Sequence, residues 1–321
     1  MRKRHPYDEL PPIILLASMA LLAFVILAPQ NCAAQASAAD QLITAGNNSL
    51  VQGDYDKAIE LYTQGIKADS SNVWTYVQRG IAYAGKGQFK TAIKDFSLAI
   101  KIKPDFADAY YSRGLAYDYM GDTTSAIKDY TNAIKVNNRY YKAYCNRGLI
   151  YYKESKIDQA INDFVDCVNI KPDHYKSFYN LALCYRKKDN NELALESYDK
   201  AIKAKPDFVD AYFNRALVYY DMDRFDESIA DYKKVLDLDP GYYDAHFSLG
   251  AVYEWLHRYD DAIAEYTKYK EMAQPKDSSR AAFMDERIAY VIQKRDRPSD
   301  ENVAFESKDS LKAYLEKYYS K

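Results

Sequence analysis

The chain has 321 residues, with 44 basic and 46 acidic side chains and a formal net charge of −2. That balance leaves no basic excess to attract nucleic acid, so no nucleic-acid partner is expected. Tyrosine is unusually abundant, at 33 residues, and needs a structural or a chemical explanation.

The N-terminus opens on a basic cluster, Arg2-Lys3-Arg4-His5, followed by an uncharged apolar run from Ile13 to Ala28 and then Ala34-Gln35-Ala36. A basic start, an apolar stretch and a small-residue site read as a secretory signal, cleaved after Ala36. The run is shorter than the roughly 20 residues a membrane helix needs. The alternative for residues 1–36 is an uncleaved anchor, the one membrane link expected. In both readings the basic residues stay cytoplasmic, so everything that follows is expected to be exported, to the periplasm or beyond.

From Ala39 a period of 34 residues sets in. Gly80, Gly114 and Gly148 recur at that interval, as do Tyr83, Tyr117, Tyr151, Tyr185, Tyr219 and Tyr253. A fixed period of this size is the signature of a solenoid. Seven units span residues 39–276, starting at Ala39, Val73, Ala107, Tyr141, Tyr175, Val209 and Tyr243. Each reads as two helices. In the Ala107 unit, Tyr110, Gly114 and Tyr117 share one helical face, Gly121 breaks the helix, and Ala126, Ile127, Tyr130, Ala133 and Ile134 continue the spacing. Positions 8 and 20 of the unit are always small, which predicts close helix approach. Position 24 is always Tyr or Phe from Phe96 to Tyr266, so most tyrosines are scaffold.

Arginine stands at position 7 in four units, and the same four have aspartate at position 23. Across an antiparallel hairpin these positions face each other, which predicts the ion pairs Arg79–Asp95, Arg113–Asp129, Arg147–Asp163 and Arg215–Asp231. Beyond the array, residues 277–294 read as a capping helix with Ala281, Met284, Ile288 and Val291 on its apolar face. Residues 295–307 read as a polar linker, and 308–321 as an amphipathic helix.

This outline resembles the tetratricopeptide repeat family, whose period and small-and-aromatic pattern it matches over residues 39–276. The resemblance implies an all-α, right-handed α-α superhelix: a solenoid of seven repeats with a C-terminal capping helix. It also implies a binding face lined by the first helix of each repeat. Carried onto this chain, that face holds Gln78, Ser112, Asn146, Asn180 and Asn214 at position 6. Tyr111, Tyr179, Phe213 and Phe247 stand beside them at position 5, with Tyr179 and Phe213 expected to be exposed in the groove. Lys153, Arg186 and Lys187 give a basic centre that suits a ligand with acidic residues in its middle. Chaperone-binding members hold a C-terminal carboxylate with Lys at position 5 and Asn at position 9 of one repeat. Here only Asn47 matches and Ile43 takes the lysine place, so that function is not expected.

No catalytic constellation is present. The histidines His5, His174, His246 and His257 fall at unlike positions, and no phosphate-binding loop or H-E-x-x-H occurs. No cofactor or metal is expected. Cys145, Cys167 and Cys184 match no zinc spacing. Cys167 reads as a small buried hydrophobe; a Cys145–Cys167 bridge is possible from their places in opposite helices of one repeat. The function read from these features is a non-enzymatic scaffold that binds a protein or peptide segment during assembly of an envelope complex. The alternatives are an accessory substrate-positioning subunit of an envelope enzyme and, more weakly, a self-associating structural protein.

Overall fold

The computed structural model describes residues 37–273 and 278–296. The expected signal or anchor (1–36), the linker beyond Asp296 and the C-terminal helix (308–321) lie outside these residues. Among the described residues there are helices and no strands, and no helix is long and apolar enough to cross a membrane. The fold class is an all-α repeat superhelix.

Two compact units divide the chain, one reaching Pro172 and one starting at Asp173. The first holds four hairpins: α1 (Ala38–Val51) with α2 (Tyr55–Ala68), α3 (Val73–Gly85) with α4 (Phe89–Ile102), α5 (Ala107–Tyr119) with α6 (Thr123–Val136), and α7 (Tyr141–Lys153) with α8 (Ile157–Ile170). The second holds three, α9 (Tyr175–Lys187) with α10 (Asn191–Ala204), α11 (Val209–Asp221) with α12 (Phe225–Leu238), and α13 (Tyr243–Trp255) with α14 (Tyr259–Ala273), followed by α15 (Ser278–Asp296).

Local chemistry starts and stops these helices. Ser37 caps α1 with a reciprocal box, its hydroxyl accepting from the Asp40 amide while Asp40 accepts from the Ser37 amide. Asp54, Asn72, Asp122 and Asn190 accept amide bonds at the starts of α2, α3, α6 and α10. Each turn between the two helices of a hairpin places one residue in the left-handed region. In the first three hairpins that residue is Gly53, Gly87 or Gly121. In the next four it is Ser155, Asp189, Asp223 or His257.

The core of every hairpin is one aromatic ring. Tyr62, Phe96, Tyr130, Phe164, Tyr198, Tyr232 and Tyr266 are all buried, each worth roughly 1.5–3 kcal/mol of apolar transfer. The small residue at position 8 makes room for that ring. A Cβ on Gly80 would stand 2.6 Å from the Phe96 ring, and one on Gly250 2.7 Å from Tyr266. The sequence pattern suggested small residues facing each other at positions 8 and 20; at position 8 the close partner is the ring.

Each position-7 arginine meets the aspartate of its own hairpin as a two-point fork. Nε and Nη2 of Arg79 lie 2.8 Å from the two Asp95 oxygens. Arg113, Arg147 and Arg215 repeat this on Asp129, Asp163 and Asp231 at 2.7–2.8 Å. The third arm, Nη1, reaches the preceding hairpin: Thr63 at 3.1 Å, Ser97 at 2.9 Å, Thr131 at 2.8 Å and Asp199 at 2.5 Å respectively. The guanidinium planes also lie over tyrosine rings, Arg147 over Tyr144 and Tyr151, and Arg215 over Tyr212 and Tyr219.

Candidate functional site

The first helices carry the residues expected to bind a ligand, and the structure sorts them into two groups. Position 5 is largely core. Tyr111, Phe213 and Phe247 are buried, as are Val77 and Cys145 in the same row. Phe213 packs on Tyr232 and Tyr242 at ring distances of 5.5 and 5.1 Å, so its expected exposure in the groove is overturned. Phe247 packs on Tyr266 and Tyr269, and Tyr111 on Tyr130 and Tyr140. Tyr179 is half-buried against Tyr198 and Phe208. The reason is register: position 5 packs on the aromatic ring of its own hairpin's second helix and, for Tyr111, Tyr179 and Phe213, on the aromatic residue that caps the next first helix.

Two asparagine rungs are spent on that junction. Asn146 Nδ2 donates to the Tyr111 hydroxyl at 3.2 Å. Asn214 Nδ2 donates to the Tyr179 hydroxyl at 3.1 Å and to the Asp210 carbonyl at 2.9 Å. Burial pushes the Tyr111 hydroxyl well above its ordinary value, with the Asn146 bond opposing, so it stays a neutral acceptor. The signal for this was in the sequence: each tyrosine at position 5 is followed 35 residues later by asparagine.

Gln78, Ser112 and Asn180 behave differently. All three are half-buried on first helices, and among the described residues no hydrogen bond reaches their side chains. Lys153 and Lys187 are exposed, and Arg186 is half-buried. Asp118 sits near Lys153; burial pushes the Asp118 carboxyl up, while Lys153 holds it back. Trp74, which the sequence reading did not single out, is 49% exposed on α3 and meets the Phe106 ring edge-on at 4.8 Å.

Cys145 and Cys167 form a disulfide that joins α7 to α8. The reading of Cys167 as a small buried thiol is therefore corrected: opposite helices of one hairpin bring the two Cα atoms to 5.7 Å. Cys184 is a free, buried cysteine whose thiol is pushed up to about 12 by burial, which leaves it unreactive.

First helices with uncommitted amides or hydroxyls occur in each unit, and the repeat pattern that defines a scaffold runs through both. Models of the tetratricopeptide repeat match residues 107–140, 141–174 and 209–242, and the TPR repeat matches 46–87, 82–118 and 183–223. The chain belongs to the tetratricopeptide repeat family.

Among solved structures it is similar to the C-terminal part of a TPR repeat-containing protein from Cytophaga hutchinsonii. The two share 17% identity, with 74% of this chain and 97% of that one covered and a TM-score of 0.63. It is also similar to MamA, at 29% identity over 50% of this chain and 94% of that one, with a TM-score of 0.47. A third is YrrB, a TPR protein with an unusual peptide-binding site, at 27% identity over 54% and 89%, with a TM-score of 0.45. No curated protein matches the chain. The family fold is that of a protein-interaction scaffold, and no catalytic family is indicated.

Proposed function

We propose that this protein is a non-enzymatic scaffold that binds an extended segment of a partner protein along its first helices, outside the cytoplasm. The observation that carries this reading is the set of uncommitted polar side chains on that face. Gln78 and Ser112 are such residues on the first helices of the first unit, and Asn180 is one on those of the second, so each unit offers its own face. An amide that donates and accepts can satisfy a peptide backbone whatever its sequence. Export is supported by the Cys145–Cys167 disulfide, because structural disulfides persist in oxidising compartments. Assembly of an envelope complex is the setting that fits both.

Photo-crosslinking tests the binding face. A benzophenone amino acid at Gln78 or Asn180 is expected to trap a partner in cells, and one at Lys94 or Lys200, on second helices, is not. Equal trapping at all four positions would remove the reading. Export is tested separately by an alkaline phosphatase fusion after residue 38, which is expected to be active.

A further inference from the structure

We propose that Arg186 is the anchor for a side-chain carboxylate of an acidic, extended peptide bound along the first helices of the second unit. The proposal rests on the scaffold reading above and names the chemistry of its partner.

Six arginines among the described residues have half-buried or buried side chains: Arg79, Arg113, Arg147, Arg186, Arg215 and Arg287. Five of them clasp a carboxylate, Asp95, Asp129, Asp163, Asp231 and Glu254 respectively. Arg186 stands apart. Among the described residues no carboxylate lies within 4 Å of its guanidinium, and its hydrogen bond is a long one, 3.4 Å from Nη1 to Asn214 Oδ1. A guanidinium cannot shed its proton. Asp221 acts on the buried Tyr232 hydroxyl together with Arg186, but it does not fork onto the guanidinium, so an arriving carboxylate would be the first to take that geometry.

The neighbourhood fixes how Arg186 presents itself. Both Asn214 amide hydrogens are committed, to the Tyr179 hydroxyl and the Asp210 carbonyl. The amide therefore cannot turn, and its oxygen must face Arg186. One of five guanidinium N–H groups is engaged, which leaves a fork for a planar carboxylate. Tyr179 lies two turns before Arg186 on α9 and shares its side of the helix. Asn180, whose amide is uncommitted, stands next to Tyr179 on the same helix. Exposed Lys187 adds positive charge beside the site. A single forked cation with amide and phenol neighbours matches a monovalent carboxylate. A phosphate dianion would call for more cationic donors than this cluster supplies.

The test uses the full-length protein and a fluorescein-labelled peptide of alternating Glu and Leu, with the Gln/Leu peptide as its neutral counterpart. Binding is read by fluorescence anisotropy for wild type, Arg186→Met and Arg186→Lys, each first shown to keep its helical circular dichroism and melting. The acidic peptide is expected to bind wild type and to lose at least about tenfold in affinity on Arg186→Met. Arg186→Lys should recover part of it, because a point charge replaces the fork. The neutral peptide should not distinguish the three proteins. Equal affinity of the acidic peptide for wild type and Arg186→Met overturns the proposal, as does its failure to bind wild type. If the neutral peptide still binds in either case, the scaffold reading survives while this inference falls.

Discussion

Arg147 holds three partners at once, the two oxygens of Asp163 and the hydroxyl of Thr131. Burial pushes the Asp163 carboxyl up, and the Arg147 hydrogen bonds and charge oppose that rise. Removing Arg147 alone should therefore leave a buried carboxylate uncompensated. Arg147→Leu is expected to cost about 3 kcal/mol in urea unfolding at neutral pH. Arg147→Leu with Asp163→Leu should recover most of it, because neither charge is then buried. A carboxyl raised on folding binds protons more tightly in the folded state. The loss in the single variant should thus shrink as pH falls toward the carboxylate range. The last hairpin has Leu249 instead of arginine at position 7 and uses another clasp: His246 Nδ1 lies 2.5 Å from Glu265, which Lys268 also approaches. Burial pushes Glu265 up, but hydrogen bonds from His246 and Lys268 outweigh it and leave its carboxyl below the ordinary value. A carboxyl lowered on folding contributes stability above its unfolded value of 4.5, and that stability is lost as pH falls through the folded value. Glu265→Gln should flatten this part of the acid-induced fall in melting temperature. The fork to aspartate was legible in the sequence because two positions covary within one unit. The third arm needed a comparison across units: Thr63, Ser97, Thr131 and Asp199 each precede an arginine by 16 residues, whereas Val165 precedes Leu181 by the same interval.

A hairpin is set by its turn as much as by its core. The φ angles at the turn are +77°, +73° and +79° for Gly53, Gly87 and Gly121, and +59°, +54°, +60° and +57° for Ser155, Asp189, Asp223 and His257. A side chain there crowds the following carbonyl, at a cost of roughly 1–2 kcal/mol, which aspartate partly escapes through its short polar group. Ser155→Gly and His257→Gly are each expected to stabilise the protein by about 1 kcal/mol in denaturant unfolding, less the added freedom of glycine in the unfolded chain. Asp189→Gly and Asp223→Gly should gain less. Helices were easy to read at this scale because apolar spacing and glycine breaks agree. The binding face was harder. Position 5 looked like a groove row because its residues are large and lie beside polar rungs. Only the packing of Phe213 on Tyr232 and Tyr242 shows that this row points into its own hairpin and at the start of the next. Asn146 and Asn214 looked free for the same reason, since a one-helix view cannot see the tyrosine hydroxyl of the preceding hairpin.

At the scale of the molecule, a repeat array is stable only if its ends are covered, because each hairpin relies on neighbours to bury its faces. In the second unit α15 supplies that cover. Met284 and Val291 are fully buried in the cluster that includes Tyr253 and Tyr266. The apolar spacing made this helix legible as a cap, and Asp285, Glu286 and Gln293 are exposed on it. What spacing could not reveal is Arg287, buried among those apolar residues. It donates through Nε to Glu254 at 3.0 Å and through Nη2 to the other Glu254 oxygen, while the Tyr266 hydroxyl donates to the same carboxylate at 2.9 Å. The cap is therefore latched by charge as well as by apolar contact. Met284→Ala removes a fully buried side chain and should cost about 2–4 kcal/mol locally. Arg287→Met should cost a comparable amount, because Glu254 keeps its charge and loses its counter-ion. The effect belongs to one end, since coupling in an array runs between neighbours. Hydrogen exchange should accordingly speed up in α13, α14 and α15 for both variants and stay at the wild-type rate in α1 to α4. Uniform acceleration across all helices would instead mean that the array unfolds as one cooperative body and that α15 holds more than the hairpin it covers.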